Sequence, residues 1–252
     1  MTVHFEDDAL RIHKTVASPY DNNAYIIVCK ITNKALIVDT PRDAAAVLEE
    51  AQQTEVVSVV ITHGHRDHIE GYTDFRAGLQ APFGLHSSDA DRLLPNVPDF
   101  NLEDGDTIRV GELSLKLMHT PGHTPGGICL LLGNHLFSGD TLFPGGPGKT
   151  PTPEALNQVI TSITGTLFEL PDDTHVYPGH GADTTIGAAK VEYAVFAARQ
   201  HPVDLCGDVL WRNGDPSDFV CLIVSGAIAL YRVSASGNES LIGNFGPNEL
   251  VG

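Results

Sequence analysis

Short apolar runs, closed by Gly, Pro or charged residues, recur along the first half of the chain. Asn23–Thr32, Lys34–Asp39, Val56–Ile61, Leu113–Met118, Ile128–Leu132 and His135–Ser138 have the length and composition of strands. Leu102–Val110 is expected to meet Leu113–Met118 across a turn at Gly111, and Gly133-Asn134 to close a hairpin. Phe83–Leu85 is also strand-like. The pattern changes over Pro153–Leu167, where Leu156, Val159, Ile160, Ile163 and Leu167 fall at helical spacing. Thr185–Arg199 predicts another helix. Pro41 and Asp43 open one that runs to Gln53, and a further one is expected from His68 to Gly78. Strands filling each half with helices outside predict an α/β sandwich.

Residues able to do chemistry cluster just past the strand ends. Thr62-His63-Gly64-His65-Arg66-Asp67-His68 comes directly after Val56–Ile61. On an extended segment, residues two apart point the same way, so His63 and His65 can converge on one ion. A turn at Asp67-His68 can aim that pair at a second ion. A catalytic zinc takes three protein ligands and keeps one position for water, so two metals need about six ligands and a bridge. More candidates stand at later strand ends: His123 in Thr120-Pro121-Gly122-His123-Thr124, Asp140 in Gly139-Asp140-Thr141-Leu142-Phe143, and His180 in Pro178-Gly179-His180-Gly181. One sheet edge, where several strands end, could gather all of them. The remaining histidines (His4, His13, His86, His119, His135, His175 and His201) are expected to be surface or structural residues.

These motifs, in this order, resemble the metallo-β-lactamase superfamily and are most similar to its glyoxalase II-like branch, over residues 10–195. The resemblance implies a four-layer αβ/βα fold for a domain at 1–200. It implies that His63, His65 and His123 hold one metal, that Asp67, His68 and His180 hold another, and that Asp140 bridges them. Asp67 is also the residue expected to be catalytic. In β-lactamases proper, a cysteine replaces a ligand or the bridging aspartate is absent. The presence of both Asp67-His68 and Asp140 therefore favours the glyoxalase II-like branch.

Composition narrows the partners. The formal net charge is −17 and no basic patch is visible, so a nucleic acid polymer is not expected to bind. Cys29, Cys129, Cys206 and Cys221 form no Cys-x-x-Cys pair and no disulfide framework. The N-terminus lacks a signal-peptide pattern, and no apolar run approaches membrane-spanning length. The expectation is a cytoplasmic protein with a small-molecule substrate and no membrane partner.

Past residue 200 the pattern shifts. Gly214-Asp215-Pro216-Ser217-Asp218, Leu222-Ile223-Val224-Ser225-Gly226 and Phe245-Gly246-Pro247-Asn248, with strand-like Phe219–Val224 and Ala227–Val233, resemble the opening half of a cyclic nucleotide-binding β-roll. The resemblance implies a partial β-roll at 201–252. That family's helical cassette and phosphate-binding arginine would come after Gly252. The expectation is thus a truncated domain, with cyclic nucleotide a partner only of a longer native chain.

The expected mechanism is metal-assisted hydrolysis, in which a hydroxide bridging two divalent metals about 3.5–4 Å apart attacks the substrate. Zinc is the expected metal, with iron or manganese open on the same ligand types. A thioester is the expected substrate, such as a hydroxyacyl-thiol conjugate, because a thiolate leaves without much general-acid help. Lys149, in the Gly-rich loop after Asp140, could meet an anionic group. That loop lacks the spacing of a phosphate-binding P-loop. Two other readings stand beside this one. His63, His123 and Asp140 could form the two-His, one-Asp triad of a mononuclear iron persulfide dioxygenase. The chain could also be a non-catalytic, metal-stabilised sensor coupled to the nucleotide-binding-like tail.

Overall fold

Consecutive residues of the central strands face different cores, and this alternation builds the molecule. A computed structural model describes residues 2–17, 19–198, 221–222, 228–233, 239–245 and 250–251. The first sheet has seven strands in sequence order: β1 (Thr2–Glu6), β2 (Leu10–Ala17), β3 (Asn22–Cys29), β4 (Lys34–Val38), β5 (Glu55–Val60), β6 (Phe83–Leu85) and β7 (Phe100–Asn101). The second has six: β8 (Thr107–Val110), β9 (Leu113–His119), β10 (Ile128–Leu132), β11 (His135–Gly139), β12 (His175–Pro178) and β13 (Thr184–Thr185). Five helices accompany them: α1 (Ala45–Ala51), α2 (Arg66–Ile69), α3 (Tyr72–Gly78), α4 (Pro153–Gly165) and α5 (Ile186–Ala198).

Most neighbours pair antiparallel, but β4–β5, β5–β6, β6–β7 and β11–β12 run parallel. Parallel neighbours need a crossover, and α1 and α4 supply it for the β4–β5 and β11–β12 steps. On β3, Tyr25 and Ile27 face the space between the sheets, where they meet Leu117, Ile128, Leu130 and Phe137. Ala24, Ile26 and Val28 face outward, into a core shared with Val47, Tyr72 and Phe75. On the second sheet Cys129, Leu136 and Val176 face outward onto Val159, Ile163 and Ile186. The result is the expected four-layer αβ/βα sandwich. Strands buried on both faces read as unbroken apolar runs, which is why they are legible in the sequence.

Several expected boundaries move. The helix expected from Pro41 to Gln53 is only Ala45–Ala51. Thr40 precedes a proline, which disfavours helical backbone there. Its N–H and carbonyl are bonded to His68 O and Gly71 N, so the segment is pinned rather than free to coil. The expected strand Leu102–Val110 begins only at Thr107, after a turn at Gly105 with φ +82°. The helix expected from His68 to Gly78 is two, Arg66–Ile69 and Tyr72–Gly78, so Asp67 and His68 lie inside the first rather than in a turn before one. Strands β1 and β2 are additions to the expected set. β1 is short and mostly exposed, and β2 carries Arg11, His13 and Lys14 among its apolar residues.

In the tail, Cys221–Leu222 pairs antiparallel with Leu250–Val251, and Ile228–Val233 with Glu239–Phe245. The rest of the expected Phe219–Val224 strand lies outside the described residues. Among the described residues, no helix is long and apolar enough to cross a membrane.

Ile27 is fully buried between the sheets, whereas Val16 is 58% exposed. Ile27→Ala is expected to destabilise the fold by about 2–5 kcal/mol. Val16→Ala should stay within about 0.5 kcal/mol. Urea unfolding checks both, as a lowered midpoint at unchanged slope for Ile27→Ala only.

Candidate metal centre

Parallel pairing decides where the chemistry collects. Because β4 and β5 run parallel, their C-terminal ends share one edge of the first sheet, and β11 and β12 do the same in the second. Asp39 comes directly after β4, and His63 to His68 after β5. Asp140 comes after β11, and His180 after β12. His123 sits on the connection from β9 to β10. Backbone hydrogen bonds join the two edges directly: Asn23 N donates to Gly179 O (2.7 Å) and Ile128 N to Thr62 O (3.0 Å).

All seven predicted residues come together there. His65 Nδ1 lies 3.2 Å from His63 Nε2 and 2.8 Å from His123 Nε2. His180 Nε2 lies 3.2 Å from His68 Nε2 and 3.1 Å from Asp67 Oδ2. Asp140 stands between the two groups. Its Oδ1 is 3.4 Å from His68 Nε2, and its Oδ2 is 3.4 Å from His123 Nε2 and 4.0 Å from His63 Nε2. Three sets could each hold a metal ion, with donor atoms all within 4.8 Å of one another: His63/His65/His123, His63/His68/Asp140 and Asp67/His68/His180.

In His63, His68, His123 and His180 the ring nitrogen that faces away from the centre is held by the protein. His123 Nδ1 donates to Lys149 O (2.7 Å) and His180 Nδ1 to Tyr20 O (3.1 Å). His68 Nδ1 donates to Asp39 Oδ2 (2.9 Å). Thr62 donates both its N–H (2.7 Å) and its hydroxyl (2.9 Å) to Asp39. With its hydroxyl proton so committed, Thr62 Oγ1 accepts from His63 Nδ1 at 3.1 Å. Such partners fix which ring nitrogen carries the outward proton, so that the other is the one a metal would use. Asp39 thereby orients an imidazole in each half of the site. Asn22 Nδ2 donates to Asp67 Oδ2 (3.0 Å). Asp89, fully buried, accepts from Gly64 N (2.7 Å) and Gly126 N (2.9 Å). It clamps the His63–His65 loop to the His123 loop.

This arrangement sets the electrostatics. Burial, then the neighbouring imidazoles, push His63 well below the ordinary histidine range. Burial, then His123, bring His65 down to about 4. His68 moves the other way: burial resists its charge, but Asp39 and Asp140 outweigh burial and raise it well above normal. Burial also resists ionisation of Asp140, yet His68, His123 and His180 hold its carboxyl below the usual range.

A divalent cation fits this donor set. Asp140 Oδ1 is buried without a hydrogen-bond partner, 3.4 Å from His68 Nε2. A buried carboxylate oxygen left so is costly unless a cation compensates it.

Asp39, Asn22, Thr62 and Asp89 are functional residues that sequence reasoning misses. Asp39 carries one signal, since it comes after a buried strand as the ligands do. Asp89 sits in a polar 3-10 turn, Ser87–Leu93, and carries none. Among the histidines expected to be structural, His86 and His119 stack at 4.1 Å, and His119 Nε2 donates to Pro125 O (2.9 Å), bracing the His123 loop. His135 pairs with the Tyr177 hydroxyl (3.0 Å), and His201 lies outside the described residues.

Comparison with known proteins gives the same division of the chain. A family model for the metallo-beta-lactamase superfamily matches residues 17–186, and one for the cyclic nucleotide-binding domain matches residues 205–252. A hydroxyacylglutathione hydrolase from Polaromonas sp. is 36% identical over 167 residues, covering 64% of this chain and 62% of that protein. The chain thus spans less than two thirds of that relative's length. A probable polyketide biosynthesis zinc-dependent hydrolase, BaeB from Bacillus velezensis, is 29% identical over 180 residues, covering 69% of this chain and 80% of that one. The crystal structure of ETHE1 from Myxococcus xanthus superposes with a TM-score of 0.63 at 26% identity, covering 76% of this chain and 92% of that one. Because the first of these matches takes in every strand end described above, the chain belongs to the metallo-beta-lactamase superfamily of metallo-hydrolases.

Proposed function

We propose that the protein hydrolyses a thioester at a centre of two divalent metals. In this reading His63, His65 and His123 hold one ion, Asp67, His68 and His180 hold the other, and Asp140 belongs to both. The observation that carries it is the place of Asp140 between the two sets, with Oδ1 3.4 Å from His68 Nε2 and Oδ2 3.4 Å from His123 Nε2 and 3.6 Å from His180 Nε2. When bound, such ions lower the pKa of water toward about 7 and polarise a carbonyl.

The chain's own residues then orient and exclude. Asp39, through Thr62 and directly, keeps His63 and His68 in their ligating tautomers. Asn22 steadies Asp67, which carries the proposed catalytic role. The outward ring nitrogens of His63, His68, His123 and His180 are committed to oxygens, which leaves few groups to protonate a leaving group. A thioester suits it. Hydrolysis breaks the C–S bond, forms a C–O bond and releases a thiolate and a carboxylic acid. The likeness to a hydroxyacylglutathione hydrolase supports that substrate class, and the likeness to a zinc-dependent hydrolase supports zinc. Lys149, exposed at the end of the loop after Asp140, is the proposed contact for an anionic part of the substrate. In this reading residues 1–200 are the hydrolase unit and 201–252 are part of a unit of the cyclic nucleotide-binding type, with cyclic nucleotide a partner only where a longer chain completes that unit.

A second reading has its own observation. Asp140 Oδ2 faces both His123 Nε2 and His63 Nε2, the trio that a mononuclear iron persulfide dioxygenase would use. Elemental analysis of natively loaded protein, paired with thioester and persulfide assays, separates the two. The expected result is two divalent ions per chain and thiol release from a hydroxyacyl thioester. One iron per chain, with oxygen consumed on a persulfide, would replace it.

Asp39→Asn tests the support of the centre. Asp39 sits at φ +65°, a conformation that Asn tolerates, so the backbone should hold. The amide cannot accept from Thr62 and His68 as the carboxylate does. Metal affinity is expected to fall about 10- to 100-fold in a chelator titration. Retention equal to the parent protein would remove Asp39 from the centre.

A further inference from the structure

The segment from Thr141 to Lys149 leaves the metal centre and returns to it. Gly148 N donates to Asp140 O (3.2 Å), and Lys149 O accepts from His123 Nδ1 (2.7 Å). Between these ends the chain folds on itself, with Phe143 N donating to Gly146 O (2.9 Å) and Gly146 N to Phe143 O (3.2 Å). The Phe143 ring lies 6.4 Å, centre to centre, from the ring of His180. The base of this loop is therefore tied to the ligands, and Phe143 stands beside them.

Its tip is another matter. Gly145 and Gly146 have φ +91° and +138°, and a Cβ built on either would meet nothing within 4 Å. Packing does not hold the tip. Glycine also loses more freedom on ordering than any other residue. One side chain reaches it from far along the sequence: Glu192 Oε2 accepts the Gly145 N–H at 2.7 Å. Glu192 belongs to α5, whose Ile186 and Ala189 are buried in the outer core and whose Gly187 N donates to Asp172 O (2.9 Å). The carboxylate is thus presented from a fixed element, and a charged acceptor makes the stronger kind of hydrogen bond.

We infer that Glu192 is a positioning residue: by holding Gly145 it fixes the 143–149 loop as a wall of the substrate pocket. It touches neither the metal ligands nor the reacting atoms. Its effect is on where Phe143 and Lys149 stand when substrate arrives. Without it, substrate must order a glycine-rich loop on binding, which weakens binding and spares the chemical step. This rests on the proposed hydrolase reading, with the substrate entering beside Phe143.

The test uses the full chain, metal-loaded, with Glu192→Ala and Glu192→Gln. The first removes the acceptor, and the second keeps a carbonyl oxygen in its place. Hydrogen exchange of the Gly145 amide is read first. Glu192→Ala should exchange about 10-fold faster, with Glu192→Gln closer to the parent. Turnover of a hydroxyacyl thioester is read second. KM should rise about 3- to 10-fold in Glu192→Ala, with kcat within about twofold and metal content unchanged. Unchanged exchange overturns the anchor, whatever the substrate is. Faster exchange with unchanged KM overturns the pocket-wall role. If the parent protein hydrolyses no thioester, the proposed reaction fails on its own, and the exchange result still decides whether Glu192 holds the loop.

Discussion

The candidate centre depends on the strand ends of two face-packed sheets being joined along one side. His63, His65, Asp67 and His68 come from the first sheet, and His123, Asp140 and His180 from the second. Neither sheet holds a complete set. The hydrogen bonds from Asn23 to Gly179 and from Ile128 to Thr62 bring the edges together, and Gly179 N bonds to Gly139 O beneath them. Buried backbone groups must find partners, so opening this seam would leave several unpaired at once. The seam also explains a glycine. A Cβ on Gly179 would lie 2.3 Å from Asp140 Oδ1, so any larger residue would push the carboxylate off its place between the two ligand groups.

Apolar burial alone could not build this site. The inter-sheet core fixes how far apart the sheets lie, but such burial is non-directional and cannot aim an imidazole. Aiming is done by a polar layer just behind the ligands. Asp39 and Asp89 are two buried carboxylates, 2% and 0% exposed, and each accepts from more than one donor. A buried charge is tolerable when so compensated. Asp39 links the two halves of the centre through Thr62 and His68. Asp89 joins the loops that carry His65 and His123. Position comes from the strands, and orientation comes from these acids.

This division accounts for how much of the site is legible in the sequence. Val56–Ile61 with His63 just beyond it, and Leu136–Ser138 with Asp140 just beyond it, are local patterns: a buried strand, then a metal donor within two residues. Each can be read without knowing the rest of the chain. Asp89 cannot, because its partners are the amides of Gly64 and Gly126, and those become neighbours only when the sheets close. Asn22 is silent for the same reason, since Asp67 is brought to it by the fold. Asp39 lies between these cases, marked by its place after β4 but not by its partners. The start of α2 is not legible, because a helix of four residues is set by the contacts around it rather than by propensity. Strand β1 is equally silent, having almost no buried face to leave a pattern.

The same logic separates the reaction from the substrate. Ligands at the ends of buried strands are held on every side, so the centre tolerates little change. The loop from Phe143 to Gly148 is held at its base and by one exposed carboxylate at its tip, with open space around Gly145 and Gly146. Substitutions at that tip can alter the shape of the pocket without disturbing Asp140 or His123, because the loop reaches those ligands through backbone bonds at Gly148 and Lys149. A fold of this kind can keep one metal chemistry and change its substrate by redrawing a single loop. If the proposed hydrolase reading holds, the residues that choose the substrate are to be sought on the α5 side of the centre, and not among the histidines.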